Sequence, residues 1–243
     1  VDKLWLTPET PAGLHEDWPN KYDAFSWLEY VLTVPNPIYI ITTRKPNGQP
    51  NACLHSWNMH VGQRDNLSSL IYVLGHSHTH ANILREGHWV INYPPVSLWQ
   101  EAFRTIGLGD DVDEITSAGL TPEPSVAVPA PSIVECPMCV ECRLDWHRDI
   151  GAGTLFAGRI MGARVDPSRL PADPDRRIEA LGLMYNVRGT IDPATREMYG
   201  PNTLGVLGQV KRISPDAYFA ADGSPVPLPC PMREERAGDR SNR

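Results

Sequence analysis

The stretch from Pro37 to Pro94 constrains this chain more than any other. It opens with a β-branched run, Ile38–Thr43. Branched side chains pack well on a pleated surface and lose rotamer freedom in a helix. Asn47-Gly48 follows, flanked by Pro46 and Pro50, and turns the chain because both residues tolerate positive φ. A second run, Asn51–Met59, alternates in character. Gly62–Asn66 is polar and predicts a loop. Ser69–Leu74 is a short apolar run broken by Gly75-His76-Ser77-His78. Thr79 can then cap a short helix, Ala81–Glu86, stopped by Gly87. Trp89–Tyr93 predicts one more strand, ended by Pro94-Pro95. The 24 prolines and 19 glycines of the whole chain fit many short strands and turns better than long helices.

Within this stretch the residues Asn51, Ala52, Ser56, Trp57, His78, Thr79, Asn82, Ile83, Gly87, Val90, Asn92 and Pro94 keep an order and spacing that resembles the flavin reductase-like family. These are FMN-binding split β-barrels, flavoredoxins among them. Further on, Val140–Leu144 resembles the family's L-E-C-x-V strand, and Gly153–Val165 its F-x-G-x-I/V strand. The chain departs from the family pattern at Gln63–Leu67, where a Pro-Pro pair is usual. The resemblance implies a mostly β fold with peripheral helices, an antiparallel split β-barrel. It implies FMN as cofactor, NADH or NADPH as electron donor, and a partner oxygenase among the possible acceptors. It also implies a homodimer with the cofactor near the subunit interface. No catalytic side chain is expected, because such chemistry belongs to the cofactor.

The chain has 243 residues, enough for one large β domain with additions. We read 1–30 as an N-terminal arm, 31–215 as the barrel domain, and 216–243 as a mobile tail. The formal net charge of −7 argues against nucleic acid or an anionic membrane as partner. No apolar stretch approaches the ~18 residues that span a bilayer. Val1-Asp2-Lys3 lacks the pattern of a signal peptide. The five cysteines are not spaced like a secreted scaffold, so the expected compartment is the cytoplasm, with reduced thiols.

Outside the central stretch, a short helix is predicted over Tyr22–Tyr30, in an arm rich in aromatics (Trp18, Tyr22, Phe25, Trp27, Tyr30). A buried arm, a pocket wall or a dimer contact would each use them. Ser97 can cap a helix from Leu98 to about Ile106, and Asp113–Ala118 predicts a brief helix before Gly119. Thr121–Pro131 is proline-rich and is expected to lie along the surface. Ile133–Trp146 predicts a strand interrupted at Pro137. Gly153–Val165 is the next strand, and Asp149–Gly151 makes the hairpin between them.

Two groups of residues are candidates for holding a cofactor. Ser56-Trp57-Asn58-Met59 offers apolar side chains and backbone polar groups at a strand end, which suits the faces and polar edge of an isoalloxazine. A core strand with a core Trp accounts for the same residues. Gly75, Ser77, His78, Thr79 and Asn82 bring hydroxyls, an imidazole and the opening N–H groups of a helix towards one point, as a phosphate requires. Helix capping alone would explain Thr79 but not the histidines. A rival use is metal binding by His76, His78 and His80, with His55 and His60, since on a strand the first three would share a face. Cys136, Cys139 and Cys142 form C-x2-C-x2-C but lack a fourth ligand at matching spacing. On a strand, three-residue steps put neighbours on opposite faces, so small buried cysteines and no metal are expected. Gly107-Leu108-Gly109 is not a dinucleotide fingerprint. The function expected from all this is an FMN-dependent, NAD(P)H:flavin reductase-like oxidoreductase. A flavin-binding protein without reductase turnover, and a His-ligated metalloenzyme, stand as alternatives.

Overall fold

The computed structural model describes residues 3–11, 26–32, 34–173, 176–187, 191–196, 204–206, 217–219 and 225–227. In chain order the elements are α1 (Trp27–Val31), β1 (Asn36–Pro37), β2 (Tyr39–Arg44), β3 (Pro50–His55), β4 (Asn58–Gln63), β5 (Asn66–Leu74), α2 (His78–Glu86), β6 (His88–Tyr93), α3 (Trp99–Arg104), α4 (Glu114–Ser117), β7 (Pro122–Glu123), β8 (Ser132–Ile133), β9 (Met138–Ile150), β10 (Gly153–Val165), α5 (Arg177–Leu181), β11 (Met184–Asn186), β12 (Leu204–Val206), β13 (Ala217–Phe219) and β14 (Pro225–Pro227). By contacts the chain divides into Val1–Gly208 and Gln209–Arg243. The second unit holds the antiparallel pair β13–β14. The other residues of the expected tail lie outside those described.

Seven antiparallel strands pair in the order β3-β2-β6-β9-β10-β5-β4. The two edge strands, β3 and β4, are consecutive in the chain and joined only by Ser56-Trp57. Six inter-strand spacings would make a flat sheet about 29 Å wide, whereas such a link reaches only about 10 Å. The sheet must therefore curl until its edges meet. The Tyr72 N–H donates to the Trp57 carbonyl at 3.3 Å, which carries the β4–β5 ladder into the link, and the Tyr39 hydroxyl of β2 reaches the same carbonyl from the other side of the seam.

Closure gives β2 and β6 two apolar faces, which is why both read as near-continuous hydrophobic runs. Inside the barrel lie Tyr39, Ile41, Ile71, Val73, Trp89, Ile91 and Phe156. Outside it, Ile40, Ala52 and Val90 pack against Ala102, Ile115, Ala118, Val128, Ala130 and Ile133. The proline-rich segment keeps the expected surface course over most of its length, with Val126 82% exposed, and gives Val128, Ala130 and Pro131 to this second core. The Glu141 carboxylate is buried and accepts the N–H groups of Val126, Ala127 and Val128. The Thr42 hydroxyl donates to the Pro131 carbonyl. Satisfied backbone groups let the segment press its last residues into the core.

Two further expectations change. Gly62–Asn66 is no open loop: β4 and β5 run on to the pair Gln63↔Asn66, and Arg64 turns the chain at φ 52°. Gly62 allows this because a Cβ there would sit 1.9 Å from the Asn66 carbonyl oxygen. Ile133–Trp146 is interrupted at Pro137 as expected, between β8 and β9, but β9 runs on to Ile150, past the expected end. In the N-terminal arm, Trp27 and Tyr30 are buried. Trp18, Tyr22 and Phe25 lie outside the described residues. No helix among the described residues is long and apolar enough to cross a membrane.

Candidate functional site

Trp57 sits on the seam. Its carbonyl accepts the Tyr39 hydroxyl at 2.6 Å as well as the Tyr72 N–H. Its ring meets Tyr72 edge-on, with centroids 5.3 Å apart and planes at 71°. Its indole N–H donates to the Glu29 carboxylate of α1 at 3.2 Å. Strand alternation then separates the next two residues. Asn58 pairs with Ile71 and turns inward, whereas Met59 pairs with Leu70 and turns outward, 58% exposed. Ser56 is half-buried at the end of β3.

At this end of the barrel lies a polar cluster that joins Asn58, His55 and His60 to Ser69, Tyr39 and Tyr93, which the sequence did not single out, and that runs from buried Tyr93 out to exposed His60. The Asn58 amide donates to Ser69 Oγ at 2.7 Å, and its oxygen accepts from the Tyr93 hydroxyl at 3.1 Å. Tyr93 has one proton to give, so the His60 Nε2–H must be the donor in their 2.9 Å contact. Burial lowers the His60 pKa. His55 stacks on Tyr39, its Nε2 has no hydrogen-bond partner among the described residues, and burial takes its pKa down to about 4. Burial pushes the Tyr39 and Tyr93 phenols up. The cluster is held neutral. It supports the seam from within and leaves the outer face to Trp57 and Met59.

Three residues beyond Tyr72, β5 gives way to Gly75 and His76, both exposed, and then to α2. At about 3.3 Å per strand residue this is about 10 Å from the seam. Ser77, not Thr79, caps α2: its hydroxyl accepts the His80 N–H at 3.2 Å and donates to the Leu74 carbonyl at 2.8 Å. The helix therefore starts earlier than the sequence predicts, because Ser77 has the extended backbone a cap needs and Thr79 is already inside the first turn. Thr79 and Asn82 are buried on the barrel. Thr79 Oγ1 accepts from Asn51 at 3.0 Å, and the Asn82 amide donates to Thr43 at 3.0 Å. These side chains fix the helix. The parts of the second candidate group that face outward are Gly75, His76, His78 and the opening turn of α2. His78 is half-exposed, with Nε2 2.9 Å from Asp110 and Nδ1 3.6 Å from Glu114.

The rival uses fare differently. His76 lies in the turn, and His78 and His80 lie on a helix, where two residues are about 200° apart. His80 accordingly points away from His78 and donates to Thr154 at 2.8 Å. The Thr154 hydroxyl in turn donates a hydrogen bond to Asp149 at 2.6 Å. The strand face expected for the three histidines does not form, and no metal-binding cluster is found among the described residues. Cys136 and Cys139 belong to the outer core and Cys142 to the barrel interior. Burial raises the pKa of all three thiols.

Comparison with known proteins agrees with this architecture. The flavin reductase like domain matches residues 31–189. Flavoredoxin of Desulfovibrio vulgaris (Miyazaki F) is 25% identical at a TM-score of 0.62, over 80% of this chain and 97% of its own. Nitrilotriacetate monooxygenase component B from Bacillus cereus is 18% identical at a TM-score of 0.66, over 82% and 100%. A split barrel domain protein from Shewanella frigidimarina is 20% identical at a TM-score of 0.64, over 79% and 94%. The fold is the mostly β, antiparallel split barrel of these proteins.

Proposed function

We propose, because this chain belongs to the flavin reductase-like family, that it is an FMN-dependent oxidoreductase taking electrons from NADH or NADPH. The observation that carries this reading is the ledge along β5. An outward Trp57 and Met59 stand at one end, and the exposed Gly75-His76 turn with the opening of α2 stands about 10 Å further on. An aromatic ring system linked to a phosphate suits that pair of ends.

In this reading Trp57 and Met59 form one apolar wall and exclude water from it. Ser56 and Asn58 supply the strand end from which they project, with the Asn58 side chain locked inward. The phosphate would be met by the backbone N–H groups of His78 and Thr79 at the start of α2, where the helix dipole favours an anion, while the His78 ring stays with Asp110 and Glu114. Ser77, Thr79 and Asn82 would hold those donors in place through their bonds to Leu74, Asn51 and Thr43. The cofactor supplies the redox chemistry: a hydride from the nicotinamide, then two electrons to an acceptor. The likeness to a monooxygenase component B supports a partner oxygenase as that acceptor.

Met59, Val61, Trp146 and Ile150 are exposed, and register puts them all on the outward face. An apolar face of this kind supports a second copy of the chain as its cover, and the ledge would then lie beside the interface.

The purified protein tests this directly. Absorption bands of oxidised flavin are expected, with bleaching on anaerobic addition of NADH or NADPH and sedimentation at the mass of two chains. Protein that neither retains nor binds added FMN would refute the reading. Flavin bands that persist with both nicotinamides would leave a flavin-binding protein without reductase turnover. The altered stretch Gln63–Leu67 and the long insertion Ser97–Pro131 favour that second reading.

A further inference from the structure

We propose that Glu29 is a positioning residue for the flavin site, holding the Trp57 indole in the orientation the cofactor meets. The proposal rests on the reading that the flavin ring lies against Trp57. Trp57 occupies the two-residue link between β3 and β4, outside both strands. Its backbone is pinned from two sides, by the Tyr39 hydroxyl and the Tyr72 N–H. Those bonds fix where the side chain begins but do not set its two torsions. Tyr72 limits the ring from one side through the edge-on contact at 5.3 Å. The Glu29 carboxylate takes the indole N–H from another, at 3.2 Å. An indole has a single N–H donor, so this bond selects one of the two ways the ring can face.

The carboxylate is itself held. Glu29 lies in the first turn of α1, which Ser26 caps and which is packed down by Trp27 and Tyr30. The Trp27 indole donates to the Thr7 carbonyl at 2.9 Å, and the Tyr30 carbonyl accepts from Ile191 N–H at 3.1 Å. The N-terminal arm therefore reaches across the seam with an anchored acceptor. Trp57 is only half-buried, so water could have satisfied its N–H. A carboxylate acceptor makes that bond charge-assisted and roughly twice as strong as a neutral one. No spacing in the sequence connects Glu29 to Trp57, which lie 28 residues apart.

The test uses the full chain with Glu29→Ala and Glu29→Gln, each with and without Trp57→Phe, so that the Trp57 signal is obtained by difference. Without flavin, Glu29→Ala should show fast motion of the Trp57 ring in fluorescence anisotropy decay, with its near-ultraviolet dichroism reduced. With flavin, it should bind FMN and riboflavin more weakly by the same factor, about tenfold, because the contact is with the ring and not the phosphate. Glu29→Gln keeps an acceptor at the same reach without the charge assistance and should restore about half of both signals. Wild-type anisotropy and flavin affinity in Glu29→Ala would overturn the proposal. So would equal impairment of the Ala and Gln variants, which would assign the effect to charge or stability and not to the bond. The anisotropy arm needs no cofactor. A failure of flavin to bind near Trp57 is therefore read separately, from unchanged Trp57 emission in the unsubstituted chain on adding FMN.

Discussion

Lys45→Ala is expected to cost the folded protein about 3–5 kcal/mol, the usual penalty for leaving one member of a buried ion pair alone. The Lys45 Nζ lies 2.9 Å from Glu114 Oε1, and the two side chains are 2% and 3% exposed. The ammonium also donates to the carbonyls of Gly109 and Val112, at 2.6 and 3.0 Å. The second oxygen of Glu114 accepts the Ala52 N–H at 2.7 Å. Removing the lysine strands a carboxylate and two carbonyls. Glu114→Ala should be at least as costly, since it strands the ammonium and a buried N–H together. Replacing both with residues of matching volume, Lys45→Met with Glu114→Leu, should recover only part of the loss: no lone charge remains, but the Gly109 and Val112 carbonyls and the Ala52 N–H still lose their partners. Urea denaturation of the two single variants and the double measures this. A single-variant loss under about 1 kcal/mol, the range of a surface pair, would mean that water reaches the site.

Gly158→Ala should be a severely damaging single-methyl change in the barrel core, at or above the upper end of the usual ~1–3 kcal/mol for overpacking. A Cβ at Gly158 would lie 2.3 Å from Trp89 Cη2 and 3.2 Å from Cys142 Cβ. Trp89 is fully buried and tilted against Phe156, at 6.5 Å between centroids, and cannot swing into solvent. Trp89→Phe removes the ring atoms in the way, so the pair Gly158→Ala with Trp89→Phe should be less than the sum of its parts. Additive losses in thermal and chemical unfolding would show that the barrel relaxes around the methyl group instead.

How far the fold was legible follows from where each signal lay. The β-branched run at Ile38–Thr43 and the run at Trp89–Tyr93 announced strands because both faces of β2 and β6 are buried. Gly153–Val165 matched β10 at both ends. The hairpin at Arg64 was hidden because the ends of β4 and β5 extend past the core and carry polar residues. The burial of Val128 and Ala130 was hidden for a different reason: the carboxylate that satisfies their segment lies in β9, supplied by Glu141. Local composition cannot report such a partner.

The candidate site was legible in its parts and not in their roles. Alternation along a strand foretells that Asn58 and Met59 part company. Nothing local foretells that Ser77 takes the cap from Thr79, or that Thr79 and Asn82 turn to Asn51 and Thr43. The supports of Trp57 come from α1, β2 and β5, and a single sequence carries no mark of that convergence.

The central claim is that the flavin ring lies against Trp57. It is tested most directly by titrating FMN into the protein and its Trp57→Phe variant while following indole fluorescence. The chain has seven tryptophans, so total quenching will be partial. The account predicts that Trp57→Phe keeps much of the affinity, since aromatic contact beyond area burial is worth only ~0.5–1.5 kcal/mol, yet loses a disproportionate share of the quenching. If Trp57→Phe is quenched as the unsubstituted protein is, the flavin does not sit on the seam and the placement of the site is wrong.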